Sequence, residues 1–210
     1  MGSEDKSSDP SADAAADVAA ASSLGENLGR GNSRGAGAGT GAARARRPPV
    51  DCGDLDMRIA RDGTWFYRGS AILRLPLVKL FASVLRREAD GGYWLVTPAE
   101  RGRIEVEDVP FLAVELSVAG QGPEQELTLR TNLDEIVTAG PDHPLRVETA
   151  ADGTPAPYLL VRPSLEARLT RPVFYDLVEL GIEEEIAGTR QYGVWSKGVF
   201  FRLGEPGPDW

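Results

Sequence analysis

Short apolar or alternating runs, separated by glycine, proline or aspartate, follow one another along the chain from Val50 onward. Runs of this kind predict β-strands. From Ile104 onward the turns recur at the short spacing that is typical of a mostly antiparallel barrel or sandwich. We predict strands at Met57–Arg61, Thr64–Tyr67, Ser70–Leu73, Tyr93–Thr97, Ile104–Glu107, Phe111–Ala119, Leu127–Arg130, Glu135–Ala139, Leu145–Thr149, Tyr158–Arg162, Tyr192–Trp195 and Val199–Leu203.

Two turns set the first predicted hairpins. Asp62-Gly63 supplies the two positive-φ positions of a type I′ turn, which would place Ile59 opposite Phe66. Arg68-Gly69 offers a second tight turn into the next strand. A third such turn, Lys197-Gly198, joins the last two strands.

Two helices are predicted, each beginning at a proline that suits the first helical position. After Pro76, the apolar residues Leu77, Leu80, Phe81, Val84 and Leu85 recur at helical spacing. After Pro172, they are Val173, Phe174, Leu177 and Leu180. Each helix therefore carries one apolar face that must pack against a sheet.

Similar pieces occur in both halves of the chain. Leu77, Val78, Phe81 and Val84 hold the same offsets from Pro76 as the second set holds from Pro172. Tyr93–Pro98 is similar to Tyr158–Pro163, and the hairpin around Trp195 is similar to the one around Trp65. Coincidence is the alternative, since proline-led helices are common. We favour an internal duplication giving an α+β fold, with an N-terminal domain at 48–98 and a mostly-β C-terminal domain at 99–204.

Residues 1–47 consist largely of alanine, glycine, serine and scattered charges. Such a segment cannot bury enough apolar surface to offset its conformational entropy. We predict that it is a disordered tail.

Composition limits the classes of function. The 210 residues carry a net charge of −9, which disfavours binding to a long nucleic acid but not to a small anion in a local arginine pocket. The single cysteine, Cys52, rules out an intramolecular disulfide, and neither a signal peptide nor a long apolar span occurs. We expect a cytoplasmic protein that is not bound to a membrane.

The sequence lacks the usual catalytic and cofactor motifs, including a P-loop, a dinucleotide fingerprint and a nucleophile elbow. Asp54, Asp56, Glu105 and Glu107 would form a cation site if their strands were neighbours, but alternating acids usually face solvent. Cys52 with His143 as its base is a candidate dyad, although a small apolar cysteine and a turn histidine are the simpler interpretation. We expect no catalytic residues, no metal and no cofactor.

Arginines and aromatic residues are the stronger candidates for a site. A guanidinium at a strand end can hold a phosphate or carboxylate with two parallel hydrogen bonds, and an aromatic ring can stack on a base. For each residue alone, an ion pair or core packing is the competing interpretation. The predicted ligand-binding set is Asp54, Asp56, Arg58, Trp65, Tyr67, Arg130, Asn132, His143, Arg146, Tyr158, Arg162 and Arg171.

Several segments resemble the bacterial domain-of-unknown-function family 1285, from about Pro48 to Leu203. They are Cys52–Ile59, Asp62–Tyr67, Tyr93–Pro98, Ile104–Glu115, Thr138–Arg146, Arg171–Tyr175 and Gly193–Ser196. The resemblance implies an internal domain duplication and a C-terminal domain similar to a pleckstrin-homology β-barrel. It also implies a ligand site at the domain interface, with a nucleotide-like ligand as one suggestion, and a role in signal transduction.

Two functions follow. The first is a non-catalytic module that binds a small anionic or nucleotide-like ligand in the interdomain cleft. The alternative is a protein-interaction module that presents the C-terminal barrel and its helix to a protein partner.

Overall fold

The computed structural model describes residues 48–150 and 153–204. The predicted disordered tail, residues 1–47, lies outside the described part of the chain. The described strands are β1 (Val50–Ile59), β2 (Trp65–Tyr67), β3 (Ser70–Ala71), β4 (Leu85–Arg87), β5 (Tyr93–Val96), β6 (Glu100–Val106), β7 (Phe111–Ala119), β8 (Glu126–Thr131), β9 (Ile136–Thr138), β10 (Leu145–Thr149), β11 (Pro155–Arg162), β12 (Leu165–Leu169), β13 (Ile182–Ile186), β14 (Thr189–Ser196) and β15 (Val199–Gly204). The helices are α1 (Leu75–Ser83) and α2 (Arg171–Glu179).

Two six-stranded sheets share one strand order. The first runs β3-β2-β1-β6-β5-β4, and the second, taken from its other edge, runs β9-β8-β7-β12-β11-β10. In each sheet the two central strands are parallel and the remaining pairs are antiparallel. The sheets are thus mixed rather than wholly antiparallel, and one curls into a half-barrel.

The final three strands form a separate antiparallel sheet in the order β13-β14-β15. Ser196 connects it to the second six-stranded sheet, because its buried hydroxyl donates to the carbonyl of Ala139 and accepts the N–H of Leu127. The described fold is therefore mostly β, with two helices among its strands.

Both predicted helices are confirmed. Helix α1 buries Val78, Phe81 and Ala82. Phe81 was predicted to face the core, but Val78 and Ala82 take the places predicted for Leu77 and Leu80, so the buried face is rotated by about one residue. Phe81 stacks on Trp65 of β2, with ring centroids 6.4 Å apart. Helix α2 buries Val173, Phe174 and Leu177, as predicted.

The predicted register of the first hairpin is wrong by one residue. Ile59 pairs with Trp65 rather than with Phe66, and both are buried. A type I′ turn needs two positive φ angles, but only Gly63 has one, at +80°. The loop therefore contains an additional residue. The prediction for Arg68-Gly69 is confirmed, because both φ angles are positive, at 48° and 78°.

Strands β4, β12 and β13 were not predicted. Leu85 fits the spacing of the preceding helix, yet it begins β4. Strand β6 extends the first sheet between β1 and β5, so Ile104 lies in the N-terminal sheet. Across the described residues, no helix combines the length and hydrophobicity needed to span a membrane.

Candidate ligand site

Most predicted site arginines are engaged by neighbouring acids. Arg58 pairs with Glu107, and its guanidinium lies 4.5 Å from the centroid of the Phe66 ring. The remaining pairs are Arg130 with Glu115 and Asp134, Arg146 with Glu166 and Glu148, and Arg162 with Glu135. Arg171 is exposed at the start of α2. Four of these five arginines are thus held in ion pairs, and Arg171 forms none with the described residues.

The other predicted residues are also dispersed. Trp65 is buried in the core, Tyr67 lies beneath Arg68, and Asp56 is exposed with a φ of 52°. The side-chain oxygen of Asn132 accepts the N–H of Leu112 at 3.0 Å. Two pairs within the set contact one another: the guanidinium carbon of Arg146 lies 4.5 Å from the ring centroid of Tyr158, and the carboxylate of Asp54 accepts the N–H of Asp56 at 2.8 Å.

The cysteine, the histidine and the acidic pairs take part in other contacts or face solvent. Cys52 is exposed on β1, whereas Nδ1 of His143 donates to the carbonyl of Leu160 at 2.9 Å. Strands β1 and β6 are indeed neighbours, but Glu107 binds Arg58. Among the residues with described positions, no cluster of three or more histidine, cysteine, aspartate or glutamate side chains could hold a metal ion.

A polar groove of about 540 Å³ lies on the first sheet and reaches the segment that joins it to the second. We call it the polar groove. Its lining residues are Asp54, Arg87, Gly91, Gly92, Tyr93, Arg103, Ile104, Glu105, Val106 and Asp108. Of the predicted site residues, only Asp54 is among them.

The groove contains two of the described arginines that form no ion pair; outside it, Arg74, Arg86 and Arg171 form none either. Within the described ranges, neither Arg87 nor Arg103 forms an ion pair with a carboxylate. Arg87 donates from Nε to the carbonyl of Gly91 at 3.3 Å, and its guanidinium carbon lies 5.3 Å from the centroid of the Tyr93 ring. Arg103 is exposed on β6, opposite Asp54 of β1. Both groups are therefore available to an anion entering the groove.

Tyr93 forms one wall of the groove and is 8% exposed. Burial raises the pKa of its hydroxyl above the ordinary value, and the nearby carboxylates of Glu166 and Asp108 raise it further, although Arg87 acts in the opposite direction. The hydroxyl is therefore neutral at physiological pH and can donate a hydrogen bond.

Asp108 connects the groove to the second sheet. Its carboxylate accepts a hydrogen bond from the Tyr158 hydroxyl at 3.1 Å and from Nη1 of Arg168 at 2.9 Å. The pKa of Tyr158 is raised, first by burial and then by this carboxylate. Asp108 is thus the single residue that lies between the groove and two side chains of the second sheet, Tyr158 on β11 and Arg168 on β12.

A second groove, of about 740 Å³, lies between β10, α2 and β15 and includes Arg146. The predicted set therefore does not converge on one cavity: Asp54 and Arg146 line different grooves.

Sequence reasoning missed Arg87, Tyr93, Arg103 and Asp108 as groove residues. Arg103 and Glu105 flank the buried Ile104. Such alternation is typical of a half-buried strand, so the exposure of both side chains could be predicted from the sequence. The sequence does not show that four strands, β4, β5, β6 and β1, lie side by side, because this depends on the order of strands in the sheet.

The fold and the groove define a mostly-β protein whose two six-stranded sheets share one topology and whose polar groove ends at their junction. The described residues that line the groove supply carboxylates, two guanidinium groups and a phenol, with no serine, cysteine or histidine among them.

The chain belongs to the DUF1285 family. The family's N-terminal domain of unknown function matches residues 46–109, and its C-terminal domain, described as a protein of unknown function, matches residues 110–203. The two profiles meet immediately after Asp108 and Val109. Our predicted division at residues 98 and 99 stays a prediction.

Two crystal structures of DUF1285 family proteins are similar to this chain. The protein from Silicibacter pomeroyi DSS-3 is 45% identical, with a TM-score of 0.69 over 77% of this chain and 89% of that one. The protein from Shewanella baltica OS155 is 29% identical, with a TM-score of 0.48 over 60% of this chain and 91% of that one. No curated protein matches this chain.

Proposed function

We propose that this protein is a non-catalytic module that binds a small anionic ligand in the polar groove. The observation that carries the proposal is that two guanidinium groups without a carboxylate partner among the described residues, Arg87 and Arg103, line the same groove. In an acidic protein most arginines are neutralised by neighbouring acids, and an arginine left unpaired in a concave polar site favours an anion.

The remaining groups of the groove suit a ligand with hydrogen-bond donors. Asp54 and Glu105 are acceptors, and the neutral Tyr93 hydroxyl is a donor. A phosphate held by the arginines, with amine or hydroxyl groups turned towards the carboxylates, would satisfy both sets. A nucleotide-like ligand has this combination, whereas inorganic phosphate alone would use only the arginines.

Asp108 links a ligand in the polar groove to the second sheet. A ligand that binds Tyr93 and Arg87 changes the electrostatic environment of Asp108, and Asp108 in turn binds Tyr158 and Arg168. The proposed signal is a change in how the two sheets are held together at this junction.

A thermal-shift titration tests the proposal with inorganic phosphate, pyrophosphate, adenosine monophosphate and guanosine monophosphate at low salt. A ligand at about 100 times its Kd adds about 2.7 kcal/mol to the unfolding free energy. For a domain of this size we expect a rise in Tm of roughly 5–11 °C. The shift should be lost in Arg87→Gln and Arg103→Gln.

The matched control is Arg190→Gln. Arg190 is 74% exposed on β14, and its ion pair with Glu183 spans 3.4 Å. This variant should keep the full shift. No shift with any of the four compounds, or an undiminished shift in both groove variants, would contradict the proposal.

The proposal includes an internal duplication, for which the repeated strand order is the main support. The N–H of Val96 donates to the carbonyl of Val84, and the N–H of Leu160 donates to that of Pro144. In both cases the residue that accepts the bond is followed in the chain by a Leu-Arg pair, Leu85-Arg86 in β4 and Leu145-Arg146 in β10. Helices α1 and α2 follow the third and the sixth strand of their halves, so they do not take equivalent places in the repeat.

A pleckstrin-like C-terminal half, a role in signalling and a cytoplasmic location stay predictions from the sequence.

A further inference from the structure

One arrangement of side chains recurs in the two six-stranded sheets. It consists of an aromatic residue with an arginine directly opposite on each neighbouring strand: Arg86, Trp94 and Arg103 on β4, β5 and β6, and Arg146, Tyr158 and Arg168 on β10, β11 and β12. We call these the first row and the second row. They take the same three places in the strand order that the sheets share. Opposite residues point to the same face of a sheet, so each row sets a ring between two guanidinium groups.

The second row holds a carboxylate from another segment of the chain. Asp108 accepts hydrogen bonds from the Tyr158 hydroxyl at 3.1 Å and from Nη1 of Arg168 at 2.9 Å. The next residue, Val109, is buried in a cluster with Tyr158 and Ala156. Both Asp108 and Val109 belong to the segment that joins β6 to β7. The second row is therefore covered by a segment in which an aspartate is followed by an apolar residue.

In the first row the arginine at the equivalent place has no carboxylate. Arg103 is exposed and forms no ion pair with the described residues. Asp54 lies opposite it on β1, but the carboxylate of Asp54 accepts the N–H of Asp56 at 2.8 Å. Trp94 is half-buried, whereas Tyr158 is 7% exposed. The first row thus lacks the cover that the second row has.

The other arginines around Trp94 are already engaged. The guanidinium carbon of Arg101 lies 4.5 Å from the centroid of the Trp94 ring, and Arg101 is paired with Asp51 and Glu88. Arg86 donates from Nη1 to a carbonyl of its own strand and to one at the end of α1. The charged group of this row that can bind a carboxylate is therefore Arg103.

We propose that the first row binds an extended segment of a partner protein in which an aspartate is followed by an apolar residue. The aspartate accepts hydrogen bonds from the guanidinium of Arg103, and the apolar residue packs on the exposed part of Trp94. The second row supports this occupant, because its aromatic residue and its arginine hold Asp108 and Val109 of such a segment. The proposal goes beyond ligand binding in the polar groove and does not depend on it.

An NMR titration of the isotopically labelled full chain tests the proposal. The probe is a terminally blocked peptide with the sequence of residues 107–112, Glu-Asp-Val-Pro-Phe-Leu. On the second row the chain's own segment is attached and competes at a high effective concentration, so the added peptide should bind the uncovered first row. We expect saturable shifts at the amides of Trp94 and Arg103, with those of Tyr158 and Arg168 unchanged. Arg103→Gln should weaken binding at least tenfold.

Two controls separate this contact from other binding. A peptide with asparagine in place of the aspartate should bind at least tenfold more weakly, because the guanidinium then loses its charged acceptor. Arg87 lines the polar groove but is not part of the first row. Arg87→Gln should therefore keep the peptide affinity of the native chain while it loses the thermal shift with phosphate compounds. If those compounds gave no shift in the native chain and the peptide still bound, only the proposal for the polar groove would fail.

Three outcomes would overturn the proposal. One is the absence of a saturable shift at Trp94 and Arg103, or shifts confined to Tyr158 and Arg168. Another is equal affinity for the aspartate and asparagine peptides, or an undiminished affinity in Arg103→Gln. The third is a shift of the Trp94 and Arg103 amides, without peptide, on deletion of residues 1–47, because the occupant would then be a segment of this chain.

Discussion

Replacement of Asp108 by alanine should destabilise the junction between the two sheets. Its carboxylate is 14% exposed, and the side chain of its partner Arg168 is 25% exposed. The substitution leaves the guanidinium of Arg168 and the hydroxyl of Tyr158 without this acceptor. Both hydrogen bonds are to the charged carboxylate; such a bond contributes about 1.5–3 kcal/mol when buried, and the partial exposure of these side chains lowers that figure. We expect Asp108→Ala to lower the unfolding free energy by about 2–4 kcal/mol.

Urea unfolding followed by circular dichroism measures this loss. The urea concentration at the midpoint of unfolding should fall. The slope of the unfolding free energy against urea concentration should not change, because the surface exposed on unfolding is the same. In a thermal melt the same loss corresponds to a decrease in Tm of roughly 4–16 °C. Tyr158→Phe removes one hydrogen bond to the carboxylate and leaves the bond from Arg168, so it should cost about 1–2 kcal/mol.

Glu183→Ala is the control for this series. Its ion pair with Arg190 is exposed, with side chains 48% and 74% accessible, and exposed pairs contribute less than about 1 kcal/mol. If Asp108→Ala were as stable as Glu183→Ala, the reasoning about the junction would be refuted. The same conclusion would follow if Tyr158→Phe cost more than Asp108→Ala.

Two further predictions concern packing and pH. Gly193→Ala places a Cβ 2.3 Å from the carbonyl oxygen of Phe201, so it should cost about 1–3 kcal/mol or more in urea unfolding. In the control Gly204→Ala the new Cβ meets no atom of the described residues within 4 Å, and an equal loss there would contradict the steric argument. Tyr93 has a raised pKa, so the folded state keeps its proton as pH rises through the unfolded value of about 10. Stability should therefore fall above about pH 10, and Tyr93→Phe should reduce that fall; an unchanged slope would contradict the assignment.

Local signals identified much of the fold. Phe111–Ala119 and Leu145–Thr149 coincide with β7 and β10, because each is a short apolar run bounded by turn residues. Leu165–Leu169 alternates apolar and polar residues and was still overlooked. Glu183 to Glu185 lie in an edge strand whose acidic composition hides it from a search for apolar runs.

The candidate site was less accessible to sequence reasoning. A lone arginine has no local signal that separates a paired guanidinium from an unpaired one. Arg162 and Arg103 look alike in the sequence, but Arg162 binds Glu135 and the carbonyl of Ala82. Which acids lie nearby depends on strand order and on contacts between residues far apart in the chain. Convergence of side chains is thus a tertiary property.

The central claim is that the polar groove holds an anion between Arg87 and Arg103. A crystal structure grown with the phosphate compound that gives the largest thermal shift tests it most directly. We predict phosphate oxygens within about 3 Å of both guanidinium groups, with the Tyr93 hydroxyl facing the ligand. A ligand bound beside Arg146 in the groove between β10, α2 and β15, with the polar groove empty, would contradict the account.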